Sequence, residues 1–375
     1  MWNKVIGQER VKSQLKSILE QERLAHAYLF CGPDGVGKDA VAIALATVVN
    51  CEKQATEACG KCASCLQASV LQHPNIHLIF ALPTGKGETS EDSPIDKLVP
   101  DDISAIQEQL ECKRKNLYHD IAVPRANNIK VNSIREMRKQ SAMSTLTKGK
   151  KVFIILDAEN LREESANAML KTLEEPQQNT LIILTTSHPE RLKSTIVSRC
   201  QVVKFDYLSE KELCDALRKN ELADTTEAKS VARMASGSYA RALELLETDF
   251  LEMRKLAVDL LRAMLYRTKE DLYKMIEHTV SSYDKGEIEE LFGLMQSWLR
   301  DTMTLNSGSQ GILNTDDETA IKKFASVHPN VDYNKTFECL ERGISLLNKN
   351  VYIPLILLNL AADLHRYIVL PHHKS

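Results

Sequence analysis

The sequence predicts an α/β protein: a P-loop domain built on a parallel sheet, carrying a small cysteine module and followed by two all-α parts. Three observations lead there. Gly32 to Asp39 reads GPDGVGKD, close to the G-x-x-x-x-G-K-[ST] loop that cradles phosphates on backbone N–H groups at a helix N-terminus. Short apolar runs alternate with helical patterns from the N-terminus to about residue 207, the signature of strands joined by crossover helices. Beyond Tyr207 the strand patterns stop.

Leu24 to Cys31 is an apolar run ending in Gly-Pro and reads as a buried strand entering the loop. Lys38 to Val49 has helical spacing, so the motif has the strand–loop–helix context it requires. Lys38 is placed to reach β- and γ-phosphates. The next residue should offer a hydroxyl to Mg²⁺, and it is Asp39. A carboxylate there can ligate Mg²⁺, pair with Lys38, or simply suit the first turn of a helix; beside phosphates it brings like-charge repulsion. Residues 82 to 100 turn to Pro, Gly, Ser and acidic residues and read as a solvated surface insertion reaching to about residue 128, with a helix over Asp101 to Asn116. Ser133 and Glu136 match a capping box, which predicts a helix start near Ser133. Val152 to Leu156 is a strand ending at Asp157, the place of a Mg²⁺-holding acid in P-loop enzymes. Leu161 to Leu173 is a helix, and Leu181 to Leu184 and Val202 to Phe205 are further strands. The resulting division is residues 1–207 for the P-loop domain, 208–248 for a small helical part and 249–375 for a longer helical bundle.

The formal charge of −3 and 5% aromatic content argue against a free-standing nucleic-acid binder. The opening Met1-Trp2-Asn3-Lys4 runs into a helical pattern without a charged-then-apolar leader, and the apolar stretch at Pro354 to Leu358 is too short to span a bilayer. The expectation is a cytoplasmic protein, whose nine cysteines serve metal binding or burial rather than disulfides. Cys51, Cys59, Cys62 and Cys65 lie within fifteen residues around a Gly60-Lys61 turn. Four thiolates at this spacing suit tetrahedral Zn²⁺ in a closed structural site. An iron–sulfur cluster is the rival, although the ferredoxin run would continue with a fourth Cys and Pro where Ser69 and Val70 stand.

Taken together, IGQERV, HAYLFCGPDGVGK, the four cysteines, VNSIREM, NAMLKTLEEP, TLIILTTSHPERLKSTIVSRC and GSYARALEL make the first 248 residues resemble the clamp-loader subunits of bacterial DNA polymerase III, an AAA+ family. The resemblance implies a helical lid after the P-loop domain and a helical collar for oligomerisation. It also implies partners of gamma/tau and delta type, with the sliding clamp and primer–template DNA engaged through the complex. Subunits of this family that hydrolyse ATP keep Thr after the loop lysine, Asp-Glu at the strand end and an arginine in G-S-x-R-D-A-L. This chain has Asp39, Ala158 and Ala240 at those places, with Glu159 and Arg241 each one step late. The resemblance therefore implies a non-hydrolysing component with a degenerate nucleotide site at Gly32, Gly35, Gly37, Lys38, Asp39 and Asp157. It gives Arg199, in Ser198-Arg199-Cys200, the role of an arginine finger acting in trans on a neighbour's ATP. Thr185 and Thr186 fall in the family's sensor-1 region.

Overall fold

The computed structural model describes residues 1–53, 56–89, 91–143, 149–247, 250–266, 268–308, 317–349 and 351–370. The chain packs as two units: residues Met1–Glu221 with Ala235–Leu243, and Leu222–Met234 with Glu244–Ser375.

In the first unit the elements run α1 (Glu9–Glu20), β1 (Ala27–Cys31), α2 (Lys38–Val49), α3 (Ala63–Ser69), β2 (Ile76–Ile79), α4 (Pro100–Lys115), α5 (Val131–Ala142), β3 (Lys151–Ile155), α6 (Glu163–Glu174), β4 (Thr180–Thr186), α7 (Ser194–Val197), β5 (Gln201–Lys204) and α8 (Glu210–Lys219). The five strands form one parallel sheet in the order β2-β3-β4-β1-β5. Parallel strands need crossover helices on their faces, which is why β1, β3 and β4 are buried at every position rather than at alternate ones. Side chains split by parity. Leu29, Phe153, Ile155, Ile182 and Leu184 pack with Ile134 and Met137 of α5 and with Met169 and Leu173 of α6. Helix α2 lies against β1, β3 and β4. Its residues Ala40 to Ala46 are fully buried, so it is apolar all round, as an interior helix must be.

Helix α2 has the range that the pattern predicts, and β1, β3, β4 and β5 lie where strands are expected, shifted by a few residues. One expectation fails, and one strand has no counterpart in the sequence pattern. Helix α5 starts at Val131, with Lys130 as its N-cap. Ser133 is thus inside the first turn, with its hydroxyl buried and without a hydrogen-bond partner, and Glu136 instead accepts from Gln140 at 3.0 Å. The capping box does not form because the chain enters the helix two residues early, carried by the Lys130–Glu88 contact. Strand β2 was missed: His77 interrupts its apolar run. Burial lowers the pKa of that imidazole, which stacks on Phe153 with ring centroids 4.9 Å apart and so lies on the sheet as a neutral ring.

The rest of the chain is helical: α10 (Tyr239–Glu247) begins in the first unit, and the second holds α9 (Thr225–Met234), α11 (Phe250–Tyr266), α12 (Lys269–Ser282), α13 (Lys285–Asn306), α14 (Glu318–Val327), α15 (Tyr333–Asn348) and α16 (Ile353–Ile368). Helix α13 is its axis, packing on α11, α14 and α15. It begins at a capping box made by Asp284 and Glu287 and buries Leu291, Phe292, Met295 and Leu299. Gly343 of α15 allows the close approach, since a Cβ there would stand 2.8 Å from the Phe292 ring. The polar stretch Asn306 to Asp317, whose composition predicts a break within the helical bundle, falls largely on residues outside those described. No helix among the described residues is long and apolar enough to cross a membrane.

Phe153 sits in the middle of β3 at 1% exposure. Phe153→Ala is expected to cost about 3–5 kcal/mol in urea unfolding followed by circular dichroism; a loss below about 1 kcal/mol would contradict its place in the core.

Candidate functional site

Strand β1 delivers the loop Gly32–Gly37 to the carboxyl edge of the sheet, where open α/β sheets bind ligands. Gly35 and Gly37 have φ of +69° and +101°, the left-handed region that favours glycine. Gly35 is also pressed from outside. Its carbonyl accepts from the amides of Tyr239 (3.0 Å) and Ala240 (3.3 Å), and a Cβ on it would meet the Ala240 methyl at 2.8 Å. Ala240, where the resemblance leads one to expect an arginine in an ATP-hydrolysing subunit, is thus at the loop as a small apolar side chain.

Lys38 is buried and its ammonium is held within the loop. It donates to the carbonyls of Gly32 (3.0 Å) and Pro33 (2.6 Å) and to Ser187 Oγ (2.8 Å). Asp39 does not pair with it. Asp39 Oδ2 accepts from Lys113 Nζ at 2.7 Å, and the same ammonium donates to the His119 carbonyl at 2.7 Å. The Lys113 side chain has no solvent exposure and that of Asp39 has 19%. Burial is the largest influence on Asp39 and opposes its ionisation, but the Lys113 charge and hydrogen bond, the Thr185 hydroxyl and the Lys38 charge together outweigh it and hold the carboxyl below the usual range. Removing one partner of such a pair strands the other's charge, at a cost of about 3–5 kcal/mol.

Asp157 follows β3 in a left-handed conformation and lines the same small cavity as Asp34, Asp39, Lys113, Leu117, Tyr118 and Asp120. Its pKa is pushed up to about 7, first by desolvation and then by the charges of Asp39, Glu159 and Asp120. Asp120 is raised too, first by desolvation and then by the charges of Asp39 and Asp34. The Lys113 ammonium bonds one of these three carboxylates, Asp39, and its charge bears on Asp120 and Asp157 as well. Glu159 is turned to the Ser187 amide, which it accepts at 3.3 Å. Ala158 is fully buried in the core cluster, so a carboxylate at that position would enter apolar packing. Thr185 and Thr186 end β4, fully buried.

The insertion is therefore not a bland solvated loop. Helix α4 carries Lys113 onto Asp39, and Tyr118 lays its ring 3.0 Å from where a Cβ of Gly37 would be. The Tyr118 hydroxyl accepts from the Ile6 amide at 2.7 Å, and its ring meets Tyr239 edge-on at 4.7 Å. Nearer the start of the insertion, Glu88 pairs with Lys130 at 2.7 Å, both nearly buried, and accepts from Asn132 at 3.0 Å. None of this was readable in advance: Lys113-Arg114-Lys115 looks like the ordinary basic end of a helix.

The cysteine module sits between α2 and β2. Sulfurs of Cys51, Cys59, Cys62 and Cys65 all lie within 4.8 Å of one another, with Cys59 and Cys65 at 3.9 Å. A tetrahedral ion with Zn–S bonds near 2.3 Å separates its sulfurs by about 3.8 Å, so the four residues fit it. Backbone amides of Cys59, Cys62 and Cys65 each point at a cysteine sulfur at 3.4 Å, an arrangement that favours thiolates. Without a cation the four cannot all ionise. Backbone N–H bonds from Lys61 and Cys62 pull Cys59 down to about 6, while burial pushes Cys65 up to about 12. When bound, zinc supplies a cross-link that replaces a hydrophobic core for this short segment. The module is tied down by Trp2 Nε1 donating to the Thr56 carbonyl at 3.1 Å and by Ser64 bonding His73 at 2.8 Å.

Arg199 follows α7, half-exposed. Its guanidinium bonds Glu174 at 2.7 Å and the Thr195 carbonyl at 3.0 Å, and it does not line the cavity of its own chain's loop. Cys31, Cys112, Cys200, Cys214 and Cys339 are scattered through the fold away from the module.

Elemental analysis of the purified chain is expected to give one zinc per molecule, lost in Cys59→Ser, with chelation lowering the melting temperature. Iron with a visible absorption band would replace the zinc assignment by a cluster.

With this geometry in place, comparison with known proteins is informative. A family model described as "DNA polymerase III, delta subunit" matches residues 7–209, more than half of the chain. The "DNA polymerase III subunit delta'" of Bacillus subtilis is 28% identical over 305 residues, covering 81% of this chain and 79% of that protein. The delta' subunit of Haemophilus influenzae is 28% identical over 61% of this chain and 58% of its own length. The tau subunit of Bacillus subtilis is 29% identical over 65% of this chain, which spans only 36% of tau. The chain belongs to the DNA polymerase III delta subunit family.

Proposed function

We propose that the chain is a delta-prime-like stator of the DNA polymerase III clamp loader, supporting the ATP-driven loading of the sliding clamp onto primed DNA without hydrolysing ATP itself. The observation that carries this reading is the buried Lys113–Asp39 pair. The residue expected to hold Mg²⁺ is committed to an ammonium of its own chain, at the mouth of the loop that should hold phosphates. Ala158 and Ala240 support it from two other sides of the same site. In this reading residues 208–248 serve as a lid and 249–375 as a collar that joins gamma/tau and delta partners. Clamp and primer–template DNA are reached through the complex, and zinc in the cysteine module is structural.

Arg199 is the working residue of the proposal. A guanidinium presented from outside its own site, on a short helix end, suits stabilisation of charge on a neighbour's γ-phosphate. Its bond to Glu174 is a surface-type pair worth at most about 1 kcal/mol, so the side chain is free to change partner.

A second reading, an ATP-hydrolysing gamma/tau-type subunit, draws support from the tau relative, 29% identical where delta' is 28% identical, though over a smaller share of this chain. The two separate experimentally. The purified chain is expected to show no steady ATP turnover, and turnover would favour the second reading. In the reconstituted loader, Arg199→Ala is expected to lower DNA- and clamp-stimulated ATPase by about 10³-fold or more at the site it serves, judged from arginine fingers generally. A loader that hydrolyses at the full rate with this variant removes the role of Arg199.

A further inference from the structure

We propose that Lys113 is a built-in cation: its ammonium stands in the divalent-metal position of the phosphate loop, and the arm from Pro100 to Asp120 is an intramolecular occupant that excludes Mg²⁺-nucleotide. The inference rests on reading the Lys38 loop as a retired nucleotide site, and not on the role of Arg199.

Three features of the arm carry it. The first is placement. In P-loop proteins the residue after the loop lysine and the acid at the end of the neighbouring strand hold the metal. Here those residues are Asp39 and Asp157, and they line one cavity together with Lys113 and with Asp120 from the arm itself. Lys113 Nζ takes Asp39 at 2.7 Å and has no exposure to solvent. The second is shape. A P-loop lays phosphates over the backbone amides around its last glycine and lysine. That space is taken by Tyr118, whose ring lies against Gly37 and whose hydroxyl is bonded to Ile6. What remains is a cavity of about 20 Å³, room for one water and not for a phosphate chain.

The third is charge. Oxygen-only acidic groups are the ligands that a hard divalent cation takes. Asp39, Asp120 and Asp157 keep such a set, which makes the site one for a cation rather than for an anion. Lysine answers it with a single charge delivered on a helix, so no free ion is needed to hold the loop and the arm together. The remaining charged groups facing this cluster are Asp34, which lines the cavity, Lys38, engaged with loop carbonyls, and Glu159, turned to Ser187.

The test uses the full chain purified with its zinc in place. Mn²⁺ is titrated and the free ion is followed by electron paramagnetic resonance. The unmodified chain is expected to bind no Mn²⁺ at this site, Lys113→Ala to bind one, and Lys113→Ala with Asp39→Asn to bind none. At ten times its Kd, Mn²⁺ is expected to raise the melting temperature of Lys113→Ala by about 3 °C. A Lys113→Ala chain that takes up no more Mn²⁺ than the unmodified one overturns the inference. The unmodified chain decides independently of how the variant folds: a fluorescent ATP analogue with Mg²⁺ is expected to leave its signal unchanged, and saturable binding overturns the inference. Failure of Arg199→Ala to affect the loader would leave these results standing, so the two proposals fail separately.

Discussion

Strand β1 and helix α2 are buried on every side, and the residues joining them have one route available, across the carboxyl edge of the sheet. That constraint organises the first unit. With Ala27 to Cys31 locked between β4 and β5, and Ala40 to Ala46 locked under the sheet, the intervening loop is held in a left-handed, glycine-dependent path with its carbonyls and amides close-packed. Everything else at this edge is arranged around the loop: Ala240 and Tyr239 on Gly35, Ser187 on Lys38, and Tyr118 on Gly37. A scaffold evolved to present a rigid cradle keeps the cradle even where its chemistry has changed, because the same packing holds the core.

Charge compensation explains the substitutions at the site as a set. A carboxylate at position 39 is a poor neighbour for phosphates, yet it is the right partner for an ammonium with no access to water. A buried lysine in turn requires such a partner and a second acceptor, which the His119 carbonyl supplies. Small apolar side chains at 158 and 240 add no further charge to the site. The cysteine module solves a different problem. It has too few apolar residues to fold alone, and four convergent sulfurs suit a metal cross-link between α2 and β2.

Elements whose own residues decide their burial were legible: the apolar runs of β1, β3 and β4, the alanine- and valine-rich α2, and the four cysteines. Strand β2 was hidden because a histidine stacked flat on Phe153 behaves as an apolar ring, which residue type alone does not reveal. The start of α5 was misread because a local capping pattern lost to a buried ion pair formed with Glu88, more than forty residues away.

The one-dimensional pattern thus determined the α/β class, the phosphate-loop motif with Asp39 as its last residue and the four-cysteine cluster, since each is written in contiguous residues with a period or a spacing. What only the tertiary structure decided is the fate of the loop. Lys113 and Tyr118 reach it from an insertion whose composition resembles any solvated segment, and an ion pair across 74 residues leaves no periodic trace. Local order is set by neighbours along the chain; the use made of a site depends on which distant side chain can be buried beside it with its charge and hydrogen bonds satisfied.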